Sequence, residues 1–495
     1  VLLAVATPAA IVTPAPGGGP WEPARLATLG ADLDAVLKSA ALRNAHVGVL
    51  AVDAATGATL YAHNANDDFQ PASTLKLLVG SAALERLGPG FRFVTSAALA
   101  PASPGGGAAS AAVLRAGGDP FLDAAALDQA VAALVAAGAA PQNGWLIDDS
   151  RYDRVPYPEG WTWDDFAQDY AAPVAAIAFE ENVLHLSVAP GANVGDAARV
   201  SGGPLEHPVA MQLAGTCGWD PIVGPFATTG PPGSESTLAV RVTSSVCTNV
   251  IGAVAQGAAP ESIDAAVSSP VLYAQRYLNE ALRRAGRTFS PRAGVGSPVD
   301  AARYLPASDG EPASNFWVHG SGPLRTWLGP RFWIPSDNLV AEVLLKELGF
   351  ATGGKPGSSA KGLAFERAWL KSIGVDPATT TLADGSGLSQ YDRITPRDLV
   401  AILSHDWNGP NRELVLGSLP VGGARGTIEG IAGTPAAGRV FAKTGSMSHV
   451  RGLAGYLAPL HHGAVIFSFA VDDWNGRYAE LAAARAAVLS RLISD

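Results

Sequence analysis

Residues 69–80, FQPASTLKLLVG, decide how the rest of the chain is read. An extended run ends at Pro71, an apolar helical pattern follows as far as Gly88, and Ser73 stands near the start of that helix. Lys76 lies three residues on, so its side chain and that of Ser73 share one helical face. The choice of lysine is informative. Of 34 basic residues only seven are lysines: Lys38, Lys76, Lys346, Lys355, Lys361, Lys371 and Lys443. Arginine serves equally well as a solvated charge, but only lysine can give up its proton, so Lys76 points to proton transfer.

Working outward, residues 46–63 alternate as two strands around Thr56-Gly57, a hairpin pattern. Near the other end, GRVFAKTGS, RGLAGYLAPL and GAVIFSFAVDD read as successive strands and YAELAAARAAVLSRLI as a closing amphipathic helix. Strands at both ends imply one sheet built from the two termini. The middle differs: no lysine occurs between Lys76 and Lys346, and Gly, Pro, Ser and Ala recur in loops from Glu85 to about Asp300. A strand–turn–helix–strand pattern from residue 112, β-rich runs, and a helix in PVLYAQRYLNEALRRAG read as an insertion into the terminal domain.

At 495 residues, with 48% hydrophobic and 16% charged content, the chain has material for two or three domains. A net charge of -10 and the lack of a Lys/Arg cluster argue against nucleic acid as a partner. Residues 1–20, a short apolar run followed by a Pro/Gly linker, resemble the tail of a secretory signal peptide. No segment reaches about 18 uninterrupted apolar residues, so a soluble exported protein without a transmembrane anchor is expected. In that setting Cys217 and Cys247 are expected to pair, closing a loop of about 30 residues and contributing about 3 kcal/mol. Two buried free thiols are the alternative. Nine scattered histidines and two cysteines offer no metal-ligand spacing, and no cofactor is implied.

Three motifs stand in chain order: Ser73-Thr74-Leu75-Lys76, Ser336-Asp337-Asn338 and Lys443-Thr444-Gly445. Singly each is weak, since Ser-x-x-Lys arises by chance on the order of once or less in such a chain. Ser358-Ser359-Ala360-Lys361 repeats the spacing in a Gly-rich stretch, where a solvated loop with no helix start is expected. The ordered triple resembles that of class A β-lactamases and penicillin-binding proteins. The longer strings FQPASTLKL, SDNLVAE, LADGSGLS, AKTGSMSHVRGLAGY, GGDPFL and GWTWDDFAQDYAAPVAAI resemble the D-alanyl-D-alanine carboxypeptidase/endopeptidases of peptidase family S13, the class C low-molecular-mass penicillin-binding proteins. The resemblance runs from about residue 45 to 490.

It implies an α/β, multi-domain chain: a β-lactamase/DD-peptidase-like domain, its antiparallel sheet flanked by helices, with a two-part insertion between the first two motifs. The expected division is 21–94 with 301–495 for that domain, 95–183 with 265–300 for one insert, and 184–264 for a β-rich second. The implied activity is hydrolysis of D-Ala-D-Ala ends or D-Ala-diamino acid cross-links of peptidoglycan stem peptides, with β-lactams as covalent inhibitors, in the periplasm or cell envelope. Ser73 would be the nucleophile and Lys76 its base, neutral through burial and a nearby cation such as Lys443. Ser336 would relay a proton to the leaving amine and Asn338 would hold the substrate amide. Lys443 and Thr444 would receive the terminal carboxylate, Gly445 would let the substrate approach the strand, and the N–H groups of Ser73 and Ser446 would form the oxyanion hole. Trp161, Asp164 and Asp165 are candidates for binding an amino group on the substrate side chain, or for a structural turn.

Duller readings stand beside these. Ser336 has the look of a helix cap and Lys443 of a strand-edge charge, while Asp384 and Ser386 read as turn formers. Gly329-Pro330 and Pro335 interrupt the helix that usually leads into the second motif, and Asp392 stands where asparagine is more usual. A class A β-lactamase needs a deacylating glutamate in an E-x-x-L-N run; the nearest string, at Glu413, lacks the asparagine. A catalytically silent binding module has no need of two placed lysines.

Overall fold

The computed structural model describes residues 10–15, 17–99, 111–141, 144–204, 227–243, 247–289, 315–428 and 430–495. Cys217 and the side chain of Cys247 lie outside these, as do residues 1–9 of the expected leader remnant. Among the described residues no helix is long and apolar enough to cross a membrane.

After helix α1 (Pro23–Leu37), the hairpin β1 (His46–Asp53) and β2 (Thr59–His63) turns where Asp53 accepts from the backbone and hydroxyl of Thr56 and Gly57 takes φ +72°. A 3-10 turn, Ala72–Leu75, then runs straight into α2 (Lys76–Arg86). Residues 76–84 of α2 are all buried, which explains a pattern apolar on every side. The chain end supplies β13 (Val440–Met447), β14 (Val450–Leu457), β15 (Val465–Asp472) and the last helix, Tyr478–Ser494. These strands join the hairpin in one antiparallel sheet of order β13-β14-β15-β1-β2. Its two faces are both covered. Val49 and Ala51 pack with Leu29, Leu33 and Leu489 on one side, and Leu50 and Val52 with Leu77, Leu78 and Leu403 on the other. That double burial makes β1 a nearly continuous apolar run in place of the expected alternation.

Between the termini, β3 (Val94–Leu99), β4 (Ala112–Arg115), α3 (Ala124–Ala136), β5 (Trp145–Asp148) and α4 (Pro270–Arg284) form a second layer. A third, β-rich region holds β6 (Val183–Ala189), β7 (Arg199–Gly203), β8 (Ala227–Gly230), β9 (Ala239–Thr243), β10 (Cys247–Ala255) and β11 (Glu261–Ala266), in sheets of order β11-β6-β7 and β8-β10-β9. Strand β12 (Asn315–Gly320) pairs along β3 in the four-stranded sheet β12-β3-β4-β5.

Further helices are α5 (Asn338–Gly353), α6 (Ser359–Ser372), α7 (Pro396–Asn408), α8 (Arg412–Ser418) and the terminal α9 (Tyr478–Ser494); α5, α6 and α7 pack on α2, and α8 packs on α7. Helix α6 corrects the reading of 358–361. Ser358 is its N-cap, accepting from the Lys361 backbone at 3.2 Å, while the Lys361 amine goes to the carbonyls of Gly354 and Pro356. A helix start does exist there, but it spends the serine hydroxyl on a cap and turns the lysine away.

Candidate active site

The three motifs meet where the start of α2, the start of α5 and the free edge of β13 converge. Lys76 Nζ lies 2.8 Å from Ser73 Oγ, 2.5 Å from Asn338 Oδ1 and 2.7 Å from the carbonyl oxygen of Ser386. Lys443 Nζ donates to Ser336 Oγ at 2.8 Å and to the Thr444 carbonyl at 2.9 Å. Both lysines are fully buried.

Local sequence explains each placement. Gly329-Pro330 loosens the approach into a π turn over Leu328–Trp333, and after Pro335 the chain breaks at Ser336, held at φ +67°. Asp337, not Ser336, caps α5, accepting from Val340 N at 2.9 Å. Ser336 is thereby lifted off the helix and its hydroxyl is left for Lys443. Ala72, the residue before Ser73, is also at positive φ, +44°. Non-glycine residues at positive φ cost of order 1–3 kcal/mol each, and here they adjoin both motif serines.

Strand β13 is an edge strand whose even residues turn their backbone away from β14: Val440 O accepts from Gly422 N, and Ala442 N donates to Pro420 O. By the alternation of an antiparallel ladder, Ser446 presents its N–H and C=O at the free edge. A cavity of about 590 Å³ opens there, lined by Ser73, Ser336, Asn338, Thr444 and Ser446, by Thr162, Asp165 and Tyr170 from the insertion, and by Leu388, Gln390, Thr427, Met447 and Tyr478.

Burial lowers the Lys76 ammonium to about 8, against the opposing pull of Asp384, Asp337 and Glu342. The charge of Lys443 is not what lowers it. The repulsion falls on Lys443, which burial first and the Lys76 charge second hold well below the ordinary lysine range. Burial lifts Asp337 to about 6 and Glu342 to about 8. Asp392, also buried, is pushed well above the carboxylate range by burial and by Asp384, and accepts from Ala383 N at 2.7 Å.

Several expected residues take other places. Trp161 is buried and donates its indole N–H to Asp384 Oδ2 at 2.8 Å, which makes it a strut for the turn and not part of the cavity wall. Asp384 also takes the N–H groups of Gly387 and Ser389 and the Ser386 hydroxyl, the work of a turn former. Asp164 does not line the cavity; Asp165 does, held by Thr162 Oγ1 at 2.5 Å and the Tyr170 hydroxyl at 2.7 Å. A Cβ on Gly445 would meet Pro71 O at 2.6 Å and Thr74 N at 3.1 Å, so this glycine lets β13 approach the serine turn. Lys443 lies behind the wall, while Thr427 Oγ1 sits 2.6 Å from Thr444 Oγ1 within the cavity. No local pattern marks Thr427 or Tyr170, and only the fold brings them here. Glu413 is exposed and paired with Arg412 at 3.3 Å.

A helix-borne serine against a buried lysine, beneath an edge strand of a five-stranded antiparallel sheet, defines the β-lactamase/DD-peptidase class of serine hydrolases. Within that class the chain belongs to the D-Ala-D-Ala carboxypeptidase 3 (S13) family, whose model matches residues 29–491. It is 33% identical over 467 residues to a D-alanyl-D-alanine carboxypeptidase of Actinomadura sp. (strain R39), covering 92% of this chain and 82% of that one. The D-alanyl-D-alanine carboxypeptidase DacB of Haemophilus influenzae is 25% identical over 426 residues, 85% of this chain and 84% of the other. The crystal structure of penicillin-binding protein 4 from the same organism shares the fold, with a TM-score of 0.77 at 22% identity over 94% of this chain and 99% of that one.

Proposed function

We propose that this protein is a serine DD-peptidase that cleaves the bond after a D-alanine in peptidoglycan stem peptides, releasing a terminal D-Ala or opening a cross-link. The observation that carries this is the 2.8 Å contact between Ser73 Oγ and a lysine whose proton burial has loosened. Neutral Lys76 takes the Ser73 proton as Oγ attacks the penultimate D-Ala carbonyl. The N–H groups of Ser73 and Ser446 receive the oxyanion, for which a good donor contributes about 3–4 kcal/mol. Ser336, backed by Lys443, relays the proton gained by Lys76 to the departing amine, which returns Lys76 to its neutral form, and water then releases the acyl group with Lys76 again as base.

Thr444, Thr427 and Ser446 offer hydroxyls to the terminal carboxylate, with the Lys443 amine behind them instead of in contact. Asn338 has one amide hydrogen on the Tyr170 carbonyl, at 2.8 Å, which leaves the other for the substrate amide. Asp165, at the insertion side of the cavity, is the residue we assign to an amino group on the substrate side chain. A β-lactam presents the same carboxylate and a strained amide, so it would acylate Ser73 and stay. The exposed position of Glu413 speaks against fast β-lactamase turnover, and two buried lysines are a burden that a silent binding module would not need. A substrate outside the cytoplasm fits an exported, envelope-located enzyme. The test is D-alanine release from a pentapeptide ending in D-Ala-D-Ala: the wild-type chain releases it and Ser73→Ala does not. Equal release by both would overturn the proposal.

A further inference from the structure

The Lys76 amine has three polar neighbours and, once neutral, two hydrogens and one lone pair. Which neighbour the lone pair faces decides whether Lys76 acts as a base toward Ser73 or merely donates to it. Asn338 Oδ1 can only accept, and the amide cannot be reversed because its Nδ2 already donates to Tyr170 O. The Ser386 carbonyl, 2.7 Å away, can only accept as well. With both hydrogens engaged, the lone pair is left facing Ser73 Oγ. Were the Ser386 carbonyl to swing aside, one N–H would be free to turn to Ser73 and the amine would lose its basic direction.

Two acids aim that carbonyl, Asp384 through its own peptide unit and Glu342 through the two units before it. Glu342 Oε1 accepts from Gly385 N at 2.9 Å and from Ser386 N at 2.8 Å, the two peptide units leading into the Ser386 carbonyl. Glu342 is completely buried on α5, one turn after Asn338, so a single helical face supplies one acceptor to Lys76 directly and the other through the 385–386 backbone. Asp384 holds Gly387 N, which shares a peptide unit with the Ser386 carbonyl, at 2.7 Å, and Ser389 N at 2.8 Å. Resting on the function proposed above, we propose that Glu342 is a positioning residue for the lysine base, holding the Ser386 carbonyl so that the Lys76 lone pair faces the nucleophile.

The charged groups around this pair are Asp384 and Asp337 facing Lys76, Lys443 across from it on β13, and Glu366 on α6 with Asp392 facing Glu342. Burial keeps Glu342 protonated up to about 8, so at neutral pH its Oε1 accepts as a carbonyl oxygen does, and glutamine reproduces it.

The experiment measures the rate of acylation by a fluorescent penicillin from pH 5 to 10 for the wild type, Glu342→Gln and Glu342→Leu. Wild-type acylation at Ser73 is the control: its failure removes the proposed function itself, whereas the variants speak to Glu342 alone. Glu342→Leu should lower the plateau rate about 10- to 100-fold, and Glu342→Gln should recover most of it, to within about fivefold of wild type. In the leucine variant the acid limb should stay in place or move to lower pH, because a carbonyl that favours the ammonium has been withdrawn. A purely structural role, in which water enters and relieves the burial of Lys76, would move that limb up toward the ordinary lysine value. That upward shift, a leucine variant within threefold of wild type, or a glutamine variant as slow as the leucine one would each overturn the proposal. If Glu342→Leu does not fold, Glu342→Asp, which retracts the acceptor by one methylene, takes its place under the same criteria.

Discussion

Replacing Gly445 with alanine tests how closely β13 must approach the serine turn. The new Cβ would lie 2.6 Å from Pro71 O and 3.2 Å from Ala72 Cβ, where ordinary contact begins at 3.4 Å. Neither neighbour can rotate away. Pro71 O is backbone and is held by the Thr74 amide and, at 2.6 Å, by the Thr74 hydroxyl. Relieving the contact to between 3.0 and 3.4 Å therefore separates the strand from the turn by ~0.4–0.8 Å, an overpacking expected to cost about 1–3 kcal/mol. The same movement carries Ser446 N–H away from Ser73, across the proposed oxyanion site. Since a 1 Å misplacement costs on the order of a hundredfold in rate, acylation by penicillin should slow by about 10- to 100-fold. Melting temperature should fall by several degrees. The control is Gly417→Ala, at an exposed position of α8 with nothing within 4 Å of the new Cβ, which should acylate like wild type and melt no lower. A Gly445→Ala variant that melts lower yet acylates within threefold of wild type would refute the link between this spacing and catalysis.

Two further outcomes are expected. Lys76→Arg should lose acylation nearly as completely as Lys76→Ala, because arginine keeps the charge and cannot act as base; substantial activity in the arginine variant contradicts proton transfer. Stability should decline from about pH 5 to pH 8: Glu342, Asp406 and Asp337 hold their protons up to about 8, 7 and 6 when folded but release them near 4 when unfolded. Each of these three acids binds its proton more tightly when folded, so raising the pH favours unfolding by up to about 1.4 kcal/mol per pH unit for each. That sum outweighs the opposite contribution of the one strongly depressed ammonium, Lys443. A melting temperature that rises between pH 5 and 8 would contradict the burial of these acids.

Much of this architecture was legible because its cues are local or strongly periodic. The Thr56-Gly57 hairpin, the largely apolar α2 and the three C-terminal strands each carry their own pattern, and Ser73 and Lys76 need only one helical turn to meet. What escaped depends on contacts far apart in the chain. Thr427 reaches Thr444 only through the packing of a loop on β13, and Asn338 meets Tyr170 across 168 residues. The approach of Gly445 to Pro71 joins residues far apart in the chain and leaves no local signal. Lys443 has the right chemistry for a carboxylate, but Ser336 at positive φ takes its amine first. The Ser358 cap was hidden by the Gly and Pro residues before it, which end one helix and start another.

The central claim is that Ser73 is the acylated nucleophile. Intact-mass and peptide mass spectrometry after incubation with penicillin should find one adduct per chain, on the peptide containing Ser73, and none in Ser73→Ala. No adduct on the wild type, or an adduct on Ser358 or elsewhere that survives Ser73→Ala, would contradict it.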